Sequence, residues 1–358
     1  PDIEALLRHW SAAGEPERQR ALALAAAEQA ENQLAFSRAA TLLAMAQDPP
    51  PQGQAPLEGA ARWERIGELF QWSGLLDRAN DAYERALEVL SAVERNAARG
   101  GDRELMARAR QEIGDTLLES GDVDGSERWL RLALAEYRAT DDDLGCARCW
   151  RSLGDALAQK GAYEEANELL VQAERLLTAA GHRHEAAKAL NSRGEVARAR
   201  GDLRLAAKLY RRARGLLKAI GSSAWVVPEY NRGLLYLAVE DYGRARPILE
   251  LSLHRFTADE KHAAVAHAHL ALACCAAQDA TWLLFDEHLR EAAAILQRTG
   301  GADEDTARIA ENAGQAAKGA GHLGRALEAW TLARAQWRTL KRPDEQRRVE
   351  GLLSHLGA

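Results

Sequence analysis

Disulfide-forming and sheet-forming residues are scarce in this sequence. Only four cysteines occur in 358 residues, which is too few for a disulfide scaffold, so a reducing compartment, the cytoplasm, is predicted. Aromatic residues make up 6% of the chain, and valine, isoleucine and threonine are few beside alanine and leucine. Because alanine and leucine favour helix, we expect an all-α protein without a β-sheet.

Long apolar runs and a strong net charge are also missing. No apolar run approaches the roughly 20 residues needed to cross a bilayer, so no membrane partner is predicted. The net charge of -6 is small for this length and argues against a general binder of polyanions. The sequence begins with Pro1 rather than with methionine, from which we expect a fragment of a longer protein, with a processed form as the alternative.

Motifs of catalytic and metal sites are absent as well. The patterns HExxH, GxSxG and GxxxxGK followed by Ser or Thr do not occur. Cys146 and Cys149 have the local spacing of a metal site, but a structural site needs four ligands, and the adjacent Cys274 and Cys275 point about 100° apart on a helix. We therefore predict buried thiols, no metal, no cofactor, no catalytic residue and no enzymatic activity.

A period of about forty residues runs through the whole chain. A small residue or, once, a phenylalanine recurs at intervals of 39 to 41 residues, with one interval of 47, at Ala39, Ala79, Ser126, Ala166, Ala206, Ala245, Phe285 and Ala326. Such a period indicates one supersecondary unit stacked many times, and therefore a solenoid rather than a globular catalytic domain.

Residues 150–177 show the pattern of one unit most clearly. Gly154 lies on the apolar side of a first helix, which Gly161 ends by permitting a left-handed backbone. In the second helix, Ala166 and Ala173 belong to a narrow stripe of small and apolar residues that packs against the first helix. Because Gly154 and Ala166 are small, the two helices are predicted to approach closely.

The spacing of Trp, Leu-Gly, Tyr, Gly, Ala, Tyr or Phe, and Ala resembles the signature of the tetratricopeptide repeat (TPR) family. It returns in register around Gly67, Gly114, Gly154, Gly194, Gly233 and Gly314 and covers nearly all of the chain. The resemblance implies an α-solenoid wound as a right-handed superhelix. The period exceeds the family's usual length of about 34 residues, so helices longer by about a turn are expected.

The whole chain is predicted to be a single TPR solenoid. Its parts are N-terminal helices at 1–47, a proline-rich loop at 48–57, the main repeats at 58–340 and a capping helix at 341–358. The loop is predicted because proline does not fit a helix interior. About eight TPR-like helix pairs, a leading helix and a C-terminal capping helix make eighteen helices. The insertion near 91–103 is expected to lengthen the second helix of its pair and the helix that follows.

In the TPR family the first helix of each pair lines a concave groove, and the resemblance implies which side chains face it. The family's offsets from the repeated glycine give a partner-binding groove of Glu64, Glu68, Arg108, Gln111, Asp115, Arg148, Arg151, Asp155, Lys188, Asn191, Glu195, Arg198, Tyr230, Leu234 and Leu237. Base and acid recur at the same offsets in three successive repeats, and the groove is expected to become apolar near Val227. Fixed charges would set the register of a bound peptide, and apolar residues would supply affinity. The alternative is that the charges pair with one another across neighbouring helices.

Residues 183–218 form a basic segment, with eleven lysines and arginines against three acids. Such a segment can dock nucleic acid or a phosphorylated partner. No series of aromatic residues is interleaved to stack on bases, so we favour a solvated outer face and do not predict a nucleic-acid partner.

A narrower resemblance concerns residues 6–43 and 279–292. Both segments are similar to the TPR tails of bacterial signal-transducing ATPases of the maltose-regulator type and of TPR-tailed serine/threonine kinases. We therefore predict a regulatory interaction module that binds a protein or peptide, covalently linked to a kinase or ATPase domain absent from this chain. The alternative is a small-ligand sensor domain whose groove closes on a sugar or metabolite.

Overall fold

The computed structural model describes residues 3–32, 36–47, 55–72, 75–258, 262–299, 304–340 and 342–354, and these residues form helices and turns without a β-strand. One turn of 3-10 helix, Ser223–Trp225, accompanies eighteen α-helices. Their bounds are α1 (Ile3–Ala12), α2 (Pro16–Asn32), α3 (Phe36–Gln47), α4 (Pro56–Trp72), α5 (Leu76–Gly100), α6 (Arg103–Ser120), α7 (Val123–Ala139), α8 (Asp143–Gln159), α9 (Tyr163–Ala179), α10 (Arg183–Ala199), α11 (Leu203–Ala219), α12 (Val226–Ala238), α13 (Tyr242–Ala258), α14 (His262–Gln278), α15 (Trp282–Thr299), α16 (Glu304–Gly319), α17 (Leu323–Thr339) and α18 (Pro343–Ser354).

The chain folds into two compact units, unit 1 at Pro1–Ser222 and unit 2 at Ser223–Ala358. In unit 1, α1 packs on α2, and five helix pairs run from α2/α3 to α10/α11. In unit 2, three pairs run from α12/α13 to α16/α17, and α18 packs on α17. The predicted leading helix, eight pairs and capping helix are confirmed. Their arrangement as one continuous right-handed array stays a prediction.

Within unit 1 the helices form an ordered stack. Each second helix packs on the first helix of the next pair, as α7 does on α8 and α9 on α10. The first helices α6, α8 and α10 also contact one another in succession. Side chains on their shared side are therefore neighbours from one repeat to the next.

The repeated glycine lets the two helices of a pair come close together. A Cβ atom on Gly154 would lie 2.5 Å from Cγ of Leu170, and one on Gly114 would lie 2.5 Å from Cγ of Leu130. Such distances are too short for carbon atoms, so any side chain at these positions would push the helices apart. The close approach predicted from the small residues is confirmed.

Left-handed glycines and aspartate caps mark the turns of unit 1. Gly161, with φ 79°, follows α8 as predicted. Asp142 caps the start of α8 by accepting a hydrogen bond of 2.8 Å from the backbone N–H of Gly145. Both devices satisfy backbone groups that a helix end leaves without partners.

The irregular connections in unit 1 are only partly as expected. Helix α5 has 25 residues, whereas α7 has 17, so the insertion near 91–103 lengthens the second helix as predicted. The predicted loop at 48–57 lies largely outside the described residues. Its end was placed too late, because Pro56 is the first residue of α4. Proline fits this position because the first helical N–H needs no partner within the helix.

Unit 2 is built around α14, which is buried on nearly every side. Residues 270–277 are all buried, and α14 packs against α12, α13, α15 and α16. The capping helix α18 covers this core with Val349, which is fully buried. The last residues of the predicted capping helix, 355–358, lie outside the described residues.

Candidate functional site

The first helices of unit 1 carry most of the predicted groove residues on one side of each helix. We call this set the first-helix face: Glu64, Glu68, Arg108, Gln111, Asp115, Arg148, Arg151, Asp155, Lys188, Asn191, Glu195 and Arg198. Arg108, Arg148, Lys188 and Glu195 are exposed, Gln111 is buried, and the others are half-buried. We call the buried and half-buried members the floor of the face and the four exposed members its rim.

In three successive repeats, the acid at the position after the repeated glycine has a partner four residues earlier. The pairs are Gln111–Asp115 at 3.4 Å, Arg151–Asp155 at 3.2 Å and Asn191–Glu195 at 2.8 Å. The residue four positions before the acid is therefore its contact within the helix, and not the base seven positions before it. Spacings of four bring side chains on a helix together.

Contacts between neighbouring helices join these pairs across the repeats. The Thr116 hydroxyl of α6 lies 2.5 Å from a carboxylate oxygen of Glu64 on α4. Arg151 of α8 lies 3.6 Å from Glu185 on α10. The floor of the face is thus linked from one first helix to the next, as the alternative reading of the charges required.

Burial changes the ionisation of the acids on the floor. It raises the pKa of Asp115 and of Asp155, and the Arg151 guanidinium near both carboxyls opposes the rise. The pKa of Glu64 is raised by burial too, against the hydrogen bond with Thr116. Burial thus disfavours the charged form of these carboxyls, and their partners reduce that effect.

Glu112 is a member of this cluster that the repeat offsets missed. Burial raises its pKa to about 7, the carboxylates of Asp115 and Glu64 add to the rise, and Arg108 and Arg148 oppose it. The offsets cover only the side of α6 that faces the groove. Glu112, one position after Gln111, lies beside that side and is covered because neighbouring helices pack on α6.

The exposed bases of the face make fewer hydrogen bonds and ion pairs than its acids. Within the described residues, Arg108 and Arg148 have no hydrogen bond or ion pair, and both act on Glu112 only through their charge. Lys188 lies 3.4 Å from Glu185. Each of α6, α8 and α10 therefore carries one exposed base, and those of α6 and α8 have no partner among the described residues.

The N-terminal end of the face is tied to another helix. Glu68 pairs with Arg65 at 2.8 Å, and Arg65 also pairs with Glu31 of α2 at 2.8 Å. The negative charge of Glu68, a predicted groove residue, is therefore partly neutralised inside unit 1.

The predicted apolar residues lie in unit 2, mainly in its core. Tyr230 is 5% exposed and meets Phe256 edge to face, with ring centroids 5.4 Å apart. Leu234 is 8% exposed, and Leu237 is half-buried against the same core. Their role in binding stays a prediction, and Leu237 is the most exposed of the three residues.

The basic segment 183–218 is partly neutralised by acids from neighbouring helices. Glu174 of α9 pairs with Arg193 of α10 and, at 2.7 Å, with Arg212 of α11. Arg200 lies 3.4 Å from Glu164. These pairs neutralise part of the segment's positive charge, and its role as a solvated outer face stays a prediction.

Cysteines and histidines form no metal cluster in the described part of the chain. All four cysteines are free and buried, and burial raises the pKa of the Cys275 thiol to about 11. Across the helix interface of unit 2, Nδ1 of His269 lies 3.0 Å from Nδ1 of His288. The helices of the described ranges include none that is long and apolar enough to cross a membrane.

The family comparison identifies one part of the chain. Residues 105–179, which form most of α6, α7, α8 and α9, match the tetratricopeptide repeat family. Curated protein sequences yielded no match.

Solved structures share the fold over a longer stretch at low sequence identity. A Rap protein complexed with competence and sporulation factor is 15% identical, with a TM-score of 0.62 over 96% of this chain and 99% of that one. The Rap conjugation gene regulator of plasmid pLS20, in complex with the Phr* peptide, is 15% identical, with a TM-score of 0.63 over 96% and 95%. A signal transduction ATPase with numerous domains and a tetratricopeptide repeat sensor, from Pyrococcus horikoshii, is 13% identical, with a TM-score of 0.56 over 96% of this chain and 54% of that one.

The similarity is one of fold. Residues 105–179 are tetratricopeptide repeats, and the chain has the all-α, TPR-like solenoid fold of helical-repeat proteins.

Proposed function

We propose that this chain binds a protein or peptide partner on the first-helix face of unit 1. The observation that carries the proposal is the row of exposed bases above a linked floor of acids, with one base on each of α6, α8 and α10. Two proteins of similar fold were solved with a bound peptide or factor. No catalytic step is part of the proposal.

The charges of the face favour an acidic partner. Asp115 and Asp155 already have partners within unit 1, whereas Arg108 and Arg148 are exposed. Packed helices lie about 8–10 Å apart, and a polyproline II segment has three residues per turn and advances about 3.1 Å per residue. Acidic residues at every third position of such a segment share one side and would therefore meet successive bases.

Selection of peptides from a random displayed library tests this proposal. We expect enriched peptides with acidic residues three positions apart, and the double variant Arg108→Gln, Arg148→Gln should bind them at least about tenfold more weakly. The matched control is Arg95→Gln, Arg175→Gln, which removes the same charge from exposed positions on the second helices α5 and α9. Absence of enrichment, or equal binding by both double variants, contradicts the proposal.

The apolar residues Tyr230, Leu234 and Leu237 extend the proposal to unit 2. Leu237 is its most accessible member and the one to substitute there. Replacing Leu237 by Gln should lower the affinity for an enriched peptide only if that peptide also contacts unit 2. Unchanged affinity would confine the site to unit 1.

A regulatory role in a bacterial signalling protein is the finer part of the proposal. In this view the chain reports partner binding to a linked kinase or ATPase domain in the cytoplasm. The fold of the ATPase sensor and the four free cysteines support it. A full-length gene product without any effector domain would contradict it.

Small-ligand sensing is the second candidate. It is favoured by a cleft of about 360 Å³ in unit 1, whose walls include Trp63, Phe70 and two arginines. Aromatic walls with a few converging polar groups are typical of small-molecule sites. A thermal-shift screen without any stabilising metabolite would count against this candidate.

A further inference from the structure

Two arginine–aromatic pairs stand side by side in a cleft between α3, α4 and α5, which we call the Arg–aromatic cleft. The guanidinium carbon of Arg78 lies 4.2 Å from the centroid of the Phe70 ring. That of Arg85 lies 4.7 Å from the centroid of the Trp63 ring. The two aromatic residues are seven residues apart on α4, and the two arginines are seven residues apart on α5. Seven residues make about two helical turns, so both pairs line the same cleft.

The pair at Phe70 leaves donors available for a ligand. Arg78 is exposed, and it has no hydrogen bond or ion pair with any described residue. A guanidinium stacked on a ring keeps its plane fixed while the N–H groups at its edge remain free to bind a carboxylate or phosphate. This end of the cleft is therefore prepared for an anionic group.

The floor between the two pairs is largely apolar, with polar groups beside it. Ile66, Ala82 and Met45 line it together with the two aromatic rings, and the polar groups are Gln19, Thr41 and Asp81. A volume of about 360 Å³ lies within the range of small-molecule sites, roughly 300–1,000 Å³. A ligand with an apolar or aromatic body fits such a floor.

The other end of the cleft has the opposite charge. An adjoining space of about 520 Å³ shares Trp63, Asp81 and Arg85 with the first and adds Glu84 and Glu88. Carboxylates at this end repel a second anionic group and balance the charge of Arg85. The anion therefore belongs at Arg78.

We infer that the Arg–aromatic cleft is a binding site for a small organic acid, with one carboxylate or phosphate at Arg78 and an apolar body along the floor toward Trp63. The site is independent of the first-helix face, and it gives the second candidate function a class of ligand.

Direct binding of 4-phenylbutyrate, measured by calorimetry on the whole chain, tests this inference. Its length approximates the distance of two helical turns, about 11 Å. We expect a dissociation constant of about 1 mM or below. Butyrate lacks the aromatic body and 4-phenylbutanol lacks the charge, so each should bind at least about tenfold more weakly.

Variants locate the site. Arg78→Gln should weaken the binding of 4-phenylbutyrate about tenfold or more. Arg78→Lys should weaken it less, because lysine keeps the positive charge but lacks the planar edge of the guanidinium. Arg95→Gln, at an exposed position of the same helix outside the cleft, should bind like the unaltered protein. The double variant Arg108→Gln, Arg148→Gln should also bind normally, which separates this site from the peptide face.

The inference is overturned by any of three results. They are no binding of 4-phenylbutyrate up to about 10 mM, equal binding of 4-phenylbutanol, and equal affinity of the Arg78→Gln and Arg95→Gln variants. Melting temperatures of the variants, measured alongside, show that a loss of binding does not reflect a loss of folding.

Discussion

Gly194 and Tyr210 are in contact across the two helices of one repeat, and no side chain fits between them. A Cβ atom on Gly194 would lie 2.4 Å from Cε1 of the Tyr210 ring. The same offset of sixteen residues joins Gly314 to Trp330, where a Cβ atom would lie 2.4 Å from the indole. The glycine and the bulky residue thus form one packing element that recurs through both units.

Gly194→Ala is therefore expected to destabilise the protein. The added methyl group overpacks a buried contact, which costs about 1–3 kcal/mol in the free energy of unfolding. Gly215→Ala is the matched control, because Gly215 lies in α11 with nothing within 4 Å of its Cβ position. There alanine should stabilise the helix by about 0.5–1 kcal/mol. Urea unfolding followed by circular dichroism measures both, and equal effects would contradict the packing argument.

The helix caps predict a gain in stability at Ala162. Asp142 and Asp202 accept a hydrogen bond from the backbone N–H three residues later, whereas Ala162 has a similar backbone, φ -81° and ψ 61°, and no side-chain cap. Ala162→Asp should add about 0.5–1 kcal/mol by capping α9, and Asp142→Ala should lose about 1 kcal/mol. Thermal unfolding of both variants checks the sign, and a loss at Ala162 would show that the cap geometry is not transferable.

The architecture could be predicted because the repeat pattern is local. Gly154 and Leu170 are sixteen residues apart, and their contact follows from helix length and turn length alone. The 25 residues of α5 likewise follow from the insertion near 91–103. Most of the fold was therefore contained in short-range spacing.

The electrostatics of the site and the burial of unit 2 could not be predicted in this way. The pKa of Glu112 depends on Glu64 and Arg148, which other helices bring near it. The exposure of Tyr230 was overestimated because the offsets assume equal cover in every repeat. A usable signal was present in α14, which contains no Asp, Glu, Lys or Arg, as expected of a helix buried all round.

Glu112 is expected to make stability depend on pH near neutrality. Its pKa in the folded protein is about 7, above the ordinary value of 4.5, so the folded state binds a proton that the unfolded state releases between these values. Stability from this group is present below pH 4.5 and is lost as the pH rises through 7. Glu112→Gln should therefore be more stable than the unaltered protein at alkaline pH, by at most about 3 kcal/mol in the free energy of unfolding.

Thermal melts across the pH range compare this variant with Glu168→Gln, which alters an exposed acid on α9. The stabilisation by Glu112→Gln should shrink as the pH falls and be absent below pH 4.5. A constant difference at every pH would mean that the substitution acts through packing and not through ionisation.

The pair His269–His288 is expected to make stability depend on pH in the acidic range, where stability is lost as the pH falls. Burial lowers the pKa of His288 to about 4, and the positive charges of His269 and Arg246 add to the effect. Burial also lowers the pKa of His269, while Glu287 and Glu291 oppose that shift. When both rings are neutral, one donates a hydrogen bond to the other across the 3.0 Å contact between the two Nδ1 atoms.

The unfolded chain takes up these protons first as the pH falls. The stability that depends on the neutral pair is therefore complete above pH 6.5 and declines as the pH approaches 4. His288→Gln keeps a hydrogen-bonding group without a titrating one, so its melting temperature should fall less between these pH values than that of the unaltered protein. His254→Gln, at an exposed position on α13, should follow the unaltered curve. Parallel curves for all three proteins would show that protonation of this pair does not limit acid stability, because a lowered pKa in the folded state requires the curves to diverge.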